Sequence, residues 1–303
     1  MTFFDRQFLL CPGVEKSGTT SLYAFLQDRP GIAVPHLKET FFFNSKAEID
    51  PVRYEAMFRE PATSDQDSLW YADITPSYFR QDKTLERIKT TLNDKTVILF
   101  LIRNPLKRAF SLYWHDMVRH VTKGEKAVDG FKDFRNLSFE HMMAMQDTYL
   151  FRPYAPMLKA WRAAFPGRVI VHTLEDVIAN PDNLINDINK MTGLQLETGR
   201  SFPRENVAWT ARLSIFPEGL RRHADGKVTR MTLPRAHAIN AMAIQGTFTH
   251  HLTKAQCERI FNQAFADDVR ECEEILGRNL DEFREQTDLV SPIVKEISRF
   301  TGK

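Results

Sequence analysis

Short apolar runs alternate with amphipathic stretches along this chain. Phe8–Leu10 is a short apolar run that stops at Pro12-Gly13. Thr19–Leu26 then reads as the start of a helix, with Leu22, Phe25 and Leu26 on one face. Val97–Ile102 (VILFLI) is continuously apolar, rich in β-formers and bounded by turn residues, the pattern of a central parallel strand. Pro105 follows at an N1 position and predicts a helix to about His120. Val169–His172 predicts a further short strand, and Pro181-Asp182 opens a helix that ends at Gly193, a C′ glycine. Ala255–Leu276 carries helical spacing in Ile260, Phe261, Phe265, Val269, Cys272, Ile275 and Leu276, and stops at Gly277. Strands alternating with helices predict an α/β fold with a central, mostly parallel sheet flanked by helices. There is no internal repeat and no linker-like stretch. The less regular segments 122–138 and 199–235 read either as substrate loops or lids, or as ordinary surface loops.

Composition narrows the function classes. At 303 residues the length allows one large domain or two small ones, and the absence of a linker favours a single domain, 1–303. Lys plus Arg is 41 against 39 for Asp plus Glu, a formal charge of +2. That balance argues against a nucleic-acid coat, a polybasic membrane binder or a long polyanionic substrate. It leaves room for a local basic pocket. Hydrophobic residues at 43% and charged residues at 26% exclude collagen-like and disordered classes. The three cysteines, Cys11, Cys257 and Cys272, are too few and scattered for a disulfide framework or a zinc site. If Ala255–Leu276 is one continuous helix, Cys257 and Cys272 lie about 22 Å apart and cannot bridge. The four histidines His223, His237, His250 and His251 have no metal-ligand spacing, and no metal is expected. The first residues lack the pattern of a signal peptide and no apolar run approaches a bilayer span, so the expected setting is cytoplasmic. Oligomeric state is not legible.

The strongest chemical signal is CPGVEKSGTTSLYAFL. A strand runs into Gly13-Val14-Glu15-Lys16-Ser17-Gly18-Thr19-Thr20, and a helix follows. Such loops wrap backbone N–H groups around an anion and aim a helix N-terminus at it. Gly13 and Gly18 have the spacing of the Walker A loop, G-x-x-x-x-G-K-[ST], but Thr19 stands where that loop has its lysine. The lysine is Lys16, inside the loop, from where it would bend toward the bridging oxygen of a phosphosulfate or diphosphate. The bland alternative is a glycine-containing turn without a ligand. The second signal is VILFLIRNPLKRAFSLYWH. Many P-loop NTPases end a second apolar strand in an aspartate that helps hold magnesium. Here the strand ends in Arg103, which repels a metal and attracts an anion. Ser111 follows eight residues on, and the two are placed to grip one phosphate, Arg103 as a fork and Ser111 as a single donor. Lys107 and Arg108 are alternatives for that grip, but on a helix such side chains more often extend into solvent.

Together these residues resemble the sulfotransferases that use 3′-phosphoadenosine 5′-phosphosulfate (PAPS) and release adenosine 3′,5′-bisphosphate (PAP). Gly13–Thr20 resembles that family's 5′-phosphosulfate loop, and Arg103-Asn104-Pro105 through Ser111 and Tyr113 resembles its 3′-phosphate motif. Asp73-Ile74-Thr75-Pro76-Ser77-Tyr78 is similar to the segment between them, and Tyr154–Leu194 and Phe265–Leu280 to later parts of the domain. The resemblance covers nearly the whole chain, is weakest over 120–145 and 200–250, and is nearest the carbohydrate and bacterial branch.

The resemblance implies a P-loop-like three-layer fold and transfer of a sulfuryl group to a hydroxyl, or an amine, of a small molecule or sugar. It implies that Lys16 stabilises the leaving phosphate and that Lys16, Ser17, Gly18, Thr19, Thr20, Ser21, Arg103 and Ser111 hold the donor. Glu39, just before Phe41–Phe43, matches the position of the general base, with His36 as competitor. The alternative for Glu39 is a surface carboxylate paired with Lys38. His36, Phe42, Asp73, Thr75 and His115 are candidates for the acceptor side; at least two of Phe41–Phe43, and equally Trp114 and His115, suit core packing instead. Ile74 stands where carbohydrate-type members often have lysine, which weakens any inference to a glycosaminoglycan. No spacing singles out a closing cation among Arg204, Arg212, Arg221, Arg222, Lys227 and Arg230. The expected role is that of a bacterial natural-product tailoring enzyme. A P-loop kinase or NTPase, and a silent nucleotide-binding module, are the other readings.

Overall fold

Strand β1 (Gln7–Gly13) lies at the centre of a five-stranded sheet with β2 (Ile32–Ala33), β3 (Trp70–Ile74), β4 (Val97–Ile102) and β5 (Val169–Thr173), in the order β2-β3-β1-β4-β5. Every pairing is parallel. The computed structural model describes residues 2–59, 69–123, 138–144, 152–203, 214–215, 220–222, 228–230 and 249–291. The chain gathers into two units. The first comprises Met1–Asn104, Pro153–Glu205 and Asp268–Glu282, and holds the whole parallel sheet.

Strand β1 runs further than its apolar run predicts, through Pro12 to Gly13. Proline offers no N–H to a ladder, and the β1–β4 register accordingly shifts between Leu10 and Gly13. Helix α1 (Thr19–Leu26), β4 and the start of the helix at Pro105 fall where the sequence places them. Period-two alternation sorts the strand residues onto two faces. Leu9, Cys11, Ala72, Ile74, Leu99 and Leu101 share one apolar cluster with Leu22, Phe25 and Leu26 of α1 and with Leu184, Ile185 and Ile188 of a later helix. Each fully buried Leu or Ile there contributes about 1.5–3 kcal/mol. On the other face Phe8 stacks on Tyr54 of α2 (Pro51–Glu55), with centroids 5.7 Å apart. Phe100 meets Trp161 of another helix edge-on at 5.5 Å. Helices α3 (Asp82–Thr91), then α6 (Ala155–Ala164), α7 (Leu174–Ala179) and α8 (Pro181–Thr192) complete the main helices of this unit.

The second unit comprises Pro105–Arg152, Asn206–Asp267 and Phe283–Lys303. It contains α4 (Pro105–Lys123), α5 (Phe139–Ala144), the antiparallel strands β6 (Ser214–Ile215), β7 (Leu220–Arg222) and β8 (Val228–Arg230), and the pair β9 (His251–Leu252) and β10 (Leu289–Val290). Trp114 is core here, donating from Nε1 to the Thr249 carbonyl at 3.1 Å. Arg108 corrects an expectation: it is only 1% exposed rather than extended into solvent. The helical stretch 255–276 also differs. It breaks at Phe265 into α9 (Lys254–Ala264) and α10 (Ala266–Leu276), so the straight-helix estimate for Cys257 and Cys272 does not apply. Phe265, at φ −127°, closes α9 by donating its N–H to the Phe261 carbonyl. All three cysteines are buried free thiols. Among the described residues no helix is long and apolar enough to cross a membrane.

Helix α8 ends as predicted. Gly193 caps it at φ 75°, its N–H donating to Asn189 O at 2.8 Å, and a Cβ there would meet nothing within 4 Å. Only the left-handed backbone therefore opposes a side chain. Gly193→Ala is expected to cost about 1 kcal/mol and Gly193→Asn less, measured by urea denaturation.

Candidate active site

The loop after β1 is built from backbone. Val14 N donates to the Leu101 carbonyl at 2.8 Å, which ties the loop's start to β4. Gly13 is tightly packed: a Cβ would stand 3.0 Å from Phe100 Cε1 and 3.2 Å from the Phe79 ring, so the rings would have to shift. Lys16 (φ 65°) and Gly18 (φ 84°) both take the left-handed conformation, which turns the chain sharply into α1. Gly18 is the N-cap and supplies no side-chain acceptor to the first turn. The first four N–H groups of a helix have no partner within it, so the start of α1 suits an anion. Ser17 is fully buried, and among the described residues its Oγ has no hydrogen-bond partner. An orphaned buried hydroxyl inside such a loop fits a seat whose remaining acceptor is a ligand oxygen. Thr19 and Ser21 are buried and Thr20 half-buried on the same turn. Gly18 is also closely packed, since a Cβ would fall 2.5 Å from Leu174 Cδ1.

Arg103, at the end of β4, reaches this loop. Its Nη1 donates to the Lys16 carbonyl at 3.1 Å, and its own carbonyl accepts from Tyr154 Oη at 2.9 Å. Burial lowers the Arg103 pKa, and the neighbouring Glu175 carboxylate opposes that fall. Glu175 Oε1 also accepts from Asn104 N at 3.5 Å. Glu15, inside the loop, accepts from Arg80 Nε at 2.5 Å.

A second network lies under the segment that carries Glu39. Asp73 of β3 is fully buried. Its carboxylate accepts from Thr75 Oγ1 (2.7 Å), Thr40 Oγ1 (2.8 Å), Tyr54 Oη (2.8 Å) and Tyr78 Oη (3.0 Å). Thr40 N in turn donates to Thr75 Oγ1 at 3.0 Å. Asp73 and Thr75 were expected toward an acceptor; instead they are enclosed, and their polar groups anchor Thr40, the neighbour of Glu39. Phe42 also differs from expectation. It stacks on Tyr54 at 4.3 Å and is 1% exposed, as Phe43 is buried, whereas Phe41 is 48% exposed at φ 50°. The aromatic ring open to solvent is therefore Phe41, not Phe42. Glu39 is paired as the alternative has it: Lys38 Nζ donates to its Oε1 at 3.0 Å. His36 is exposed, and its backbone N–H donates to Met57 O at 2.8 Å.

The first unit thus brings Lys16, Ser17 and Arg103 to one loop, and gathers Asp73 and Thr75 beneath Thr40. Ser111 and His115 belong to α4 of the second unit. Arg221 and Arg222 lie on β7 and Arg230 on β8, with side chains outside the described residues. Arg204, Arg212, Lys227, His223 and His237 are outside them too. Among the described residues no group of His, Cys, Asp and Glu is placed to hold a metal. Arg80 and Tyr54 carry no signal in the sequence, and Tyr78 and Glu175 lie in segments that carry the resemblance without a role of their own. Arg80 and its partner Glu15 are 65 residues apart, and Glu175 and Asn104 are 71, so no local spacing signals either pair.

With this fold and loop in view, the comparisons identify the class. Residues 5–267 match the sulfotransferase domain. The chain belongs to the sulfotransferase family. It is 37% identical over 131 residues to a membrane-associated sulfotransferase, kil1, of Dictyostelium discoideum, an alignment covering 43% of this chain and 26% of that protein. The chain thus spans about a quarter of that relative. Its fold resembles the crystal structure of a sulfotransferase from Alicyclobacillus acidocaldarius, at a TM-score of 0.59 and 19% identity, covering 92% of this chain and 99% of that one.

The Asp73 network makes a pH-dependent prediction. Burial raises the Asp73 pKa, and the hydrogen bonds from Thr75, Thr40, Tyr54 and Tyr78 oppose the rise. A folded-state value above the unfolded one means that the group's contribution to stability is greatest below the ordinary aspartate range. It falls as pH climbs through the raised value. Tyr78→Phe removes a donor to the ionised carboxylate. It is expected to cost about 1–3 kcal/mol at pH 7 and less near pH 4, read by urea denaturation at both.

Proposed function

We propose that this sulfotransferase moves the sulfuryl group of PAPS to a hydroxyl, or less readily an amine, of a small-molecule or sugar acceptor. The observation that carries the donor assignment is the loop: Lys16 in the left-handed conformation, a bare N-cap at Gly18 and the orphaned hydroxyl of buried Ser17. These groups suit a 5′-phosphate. Backbone N–H groups of Ser17–Thr20 and the hydroxyls of Ser17, Thr19, Thr20 and Ser21 would hold it. Arg103 supplies the cation for the 3′-phosphate.

In the proposed step the acceptor oxygen bonds to sulfur as the bond from sulfur to the bridging phosphate oxygen breaks. Glu39 takes the acceptor proton, and Lys16 stabilises the charge left on the departing phosphate. Lys38, paired with Glu39, holds that carboxylate's position before reaction. Asp73 and Thr75 act one layer down, fixing Thr40. His36, exposed on the same segment, remains the competing base. No metal is assigned a role, because Arg103 occupies the strand end where P-loop NTPases place a metal-binding carboxylate. The same arginine disfavours the kinase reading. We further assign the whole chain, 1–303, to one sulfotransferase domain acting in the cytoplasm of a bacterium on a natural product.

Two variants test the chemistry. Lys16→Ala is expected to lower turnover about 100-fold or more, because leaving-group stabilisation is lost. Glu39→Gln is expected to keep PAP affinity within about twofold by calorimetry and to lose transfer about 100-fold, followed by sulfate mass shift over an acceptor panel. Undiminished transfer by Glu39→Gln removes Glu39 as the base. Magnesium-dependent ATP turnover in place of sulfate transfer overturns the donor assignment.

A further inference from the structure

An acidic side chain is out of place in a loop that seats an anion. Glu15 directly precedes Lys16, within the turn between β1 and α1. Its side chain is only 14% exposed, so solvent screens its charge poorly. Left without a counter-charge, such a carboxylate repels a phosphate bound beside it. It also pulls on the ammonium of the next residue. Arg80 closes a 3₁₀ turn, Tyr78–Arg80, that follows the buried Asp73–Tyr78 segment. Its Nε meets Glu15 Oε1 at 2.5 Å, and its side chain is 28% exposed.

We infer that Arg80 is a positioning residue of the phosphate loop: it neutralises Glu15 and so leaves the positive charge of Lys16 to the nucleotide. The inference rests on the donor assignment above, and it goes beyond it in naming a residue outside the loop that sets the loop's charge. Two roles are separable here. A mechanical strut needs both partners, so either substitution weakens binding and the double variant is no better. A neutralising charge needs its partner only while the carboxylate is present, so removing Glu15 makes Arg80 dispensable.

The test is a double-mutant cycle on PAP binding by isothermal calorimetry, with thermal melting of each variant as a check on folding. Arg80→Met is expected to weaken PAP binding about tenfold at low ionic strength, and less at high salt. Arg80→Lys should restore most of that loss. Glu15→Gln should bind within about twofold of the parent or more tightly, and Glu15→Gln with Arg80→Met should return to within about threefold of it. Parent-like binding by Arg80→Met overturns the inference, as does a double variant as weak as Arg80→Met. In either case a large loss in Lys16→Ala would leave the donor assignment standing. A parent protein that does not bind PAP removes both.

Discussion

The proposed seat for the anion consists of main chain bent into a conformation that L-residues resist. Holding Lys16 at φ 65° costs on the order of 1–2 kcal/mol. The turn persists because it is fixed from β4. Val14 is bonded to that strand, and the Lys16 carbonyl accepts from Arg103 at its end. A hydrogen bond to a charged group contributes about 1.5–3 kcal/mol, so a single such tie offsets the strain. Both ties come from β4, one of the two strands that flank β1. A β1 paired with β4 is therefore a condition of the loop's shape.

Asp73 sets a comparable constraint on the neighbouring segment. A buried carboxylate is tolerated only where donors surround it, and here four hydroxyls converge on one. Two of them, from Tyr54 and Tyr78, sit on rings packed among Phe8, Phe42 and Phe43. The aromatic packing and the polar network are thus one assembly. It draws Phe42 and Phe43 inward and leaves Phe41 outside. Ile74, next along β3, points to the opposite face and joins the apolar cluster of α1 and α8. Strand alternation alone puts a carboxylate and an isoleucine at consecutive positions in such different surroundings.

Much of this was legible in the chain. Continuous apolar character marked β4 because a strand covered on both faces needs it. Pro105, Pro181 and Gly193 marked helix ends because each residue has a backbone preference that suits one end. The glycine spacing marked the turn between β1 and α1 that is proposed to seat the phosphate, since left-handed turns are local properties. Phe41–Phe43 was legible only in part: the run predicts that most of it is core, but which ring escapes depends on where Tyr54 lies. The break at Phe265 was hidden because the apolar spacing continues across it.

The sequence by itself determined the class of fold, the loop and the pair of cations Lys16 and Arg103, all of which depend on local periodicity, turn chemistry and charge at a strand end. Only the tertiary structure decided what surrounds them: Arg80 against Glu15, Asp73 beneath Thr40, Glu175 beside Arg103. Those partners are far apart along the chain. They meet because parallel strands bring their carboxyl ends to one edge of the sheet, and no local spacing in a sequence encodes which strands will be neighbours.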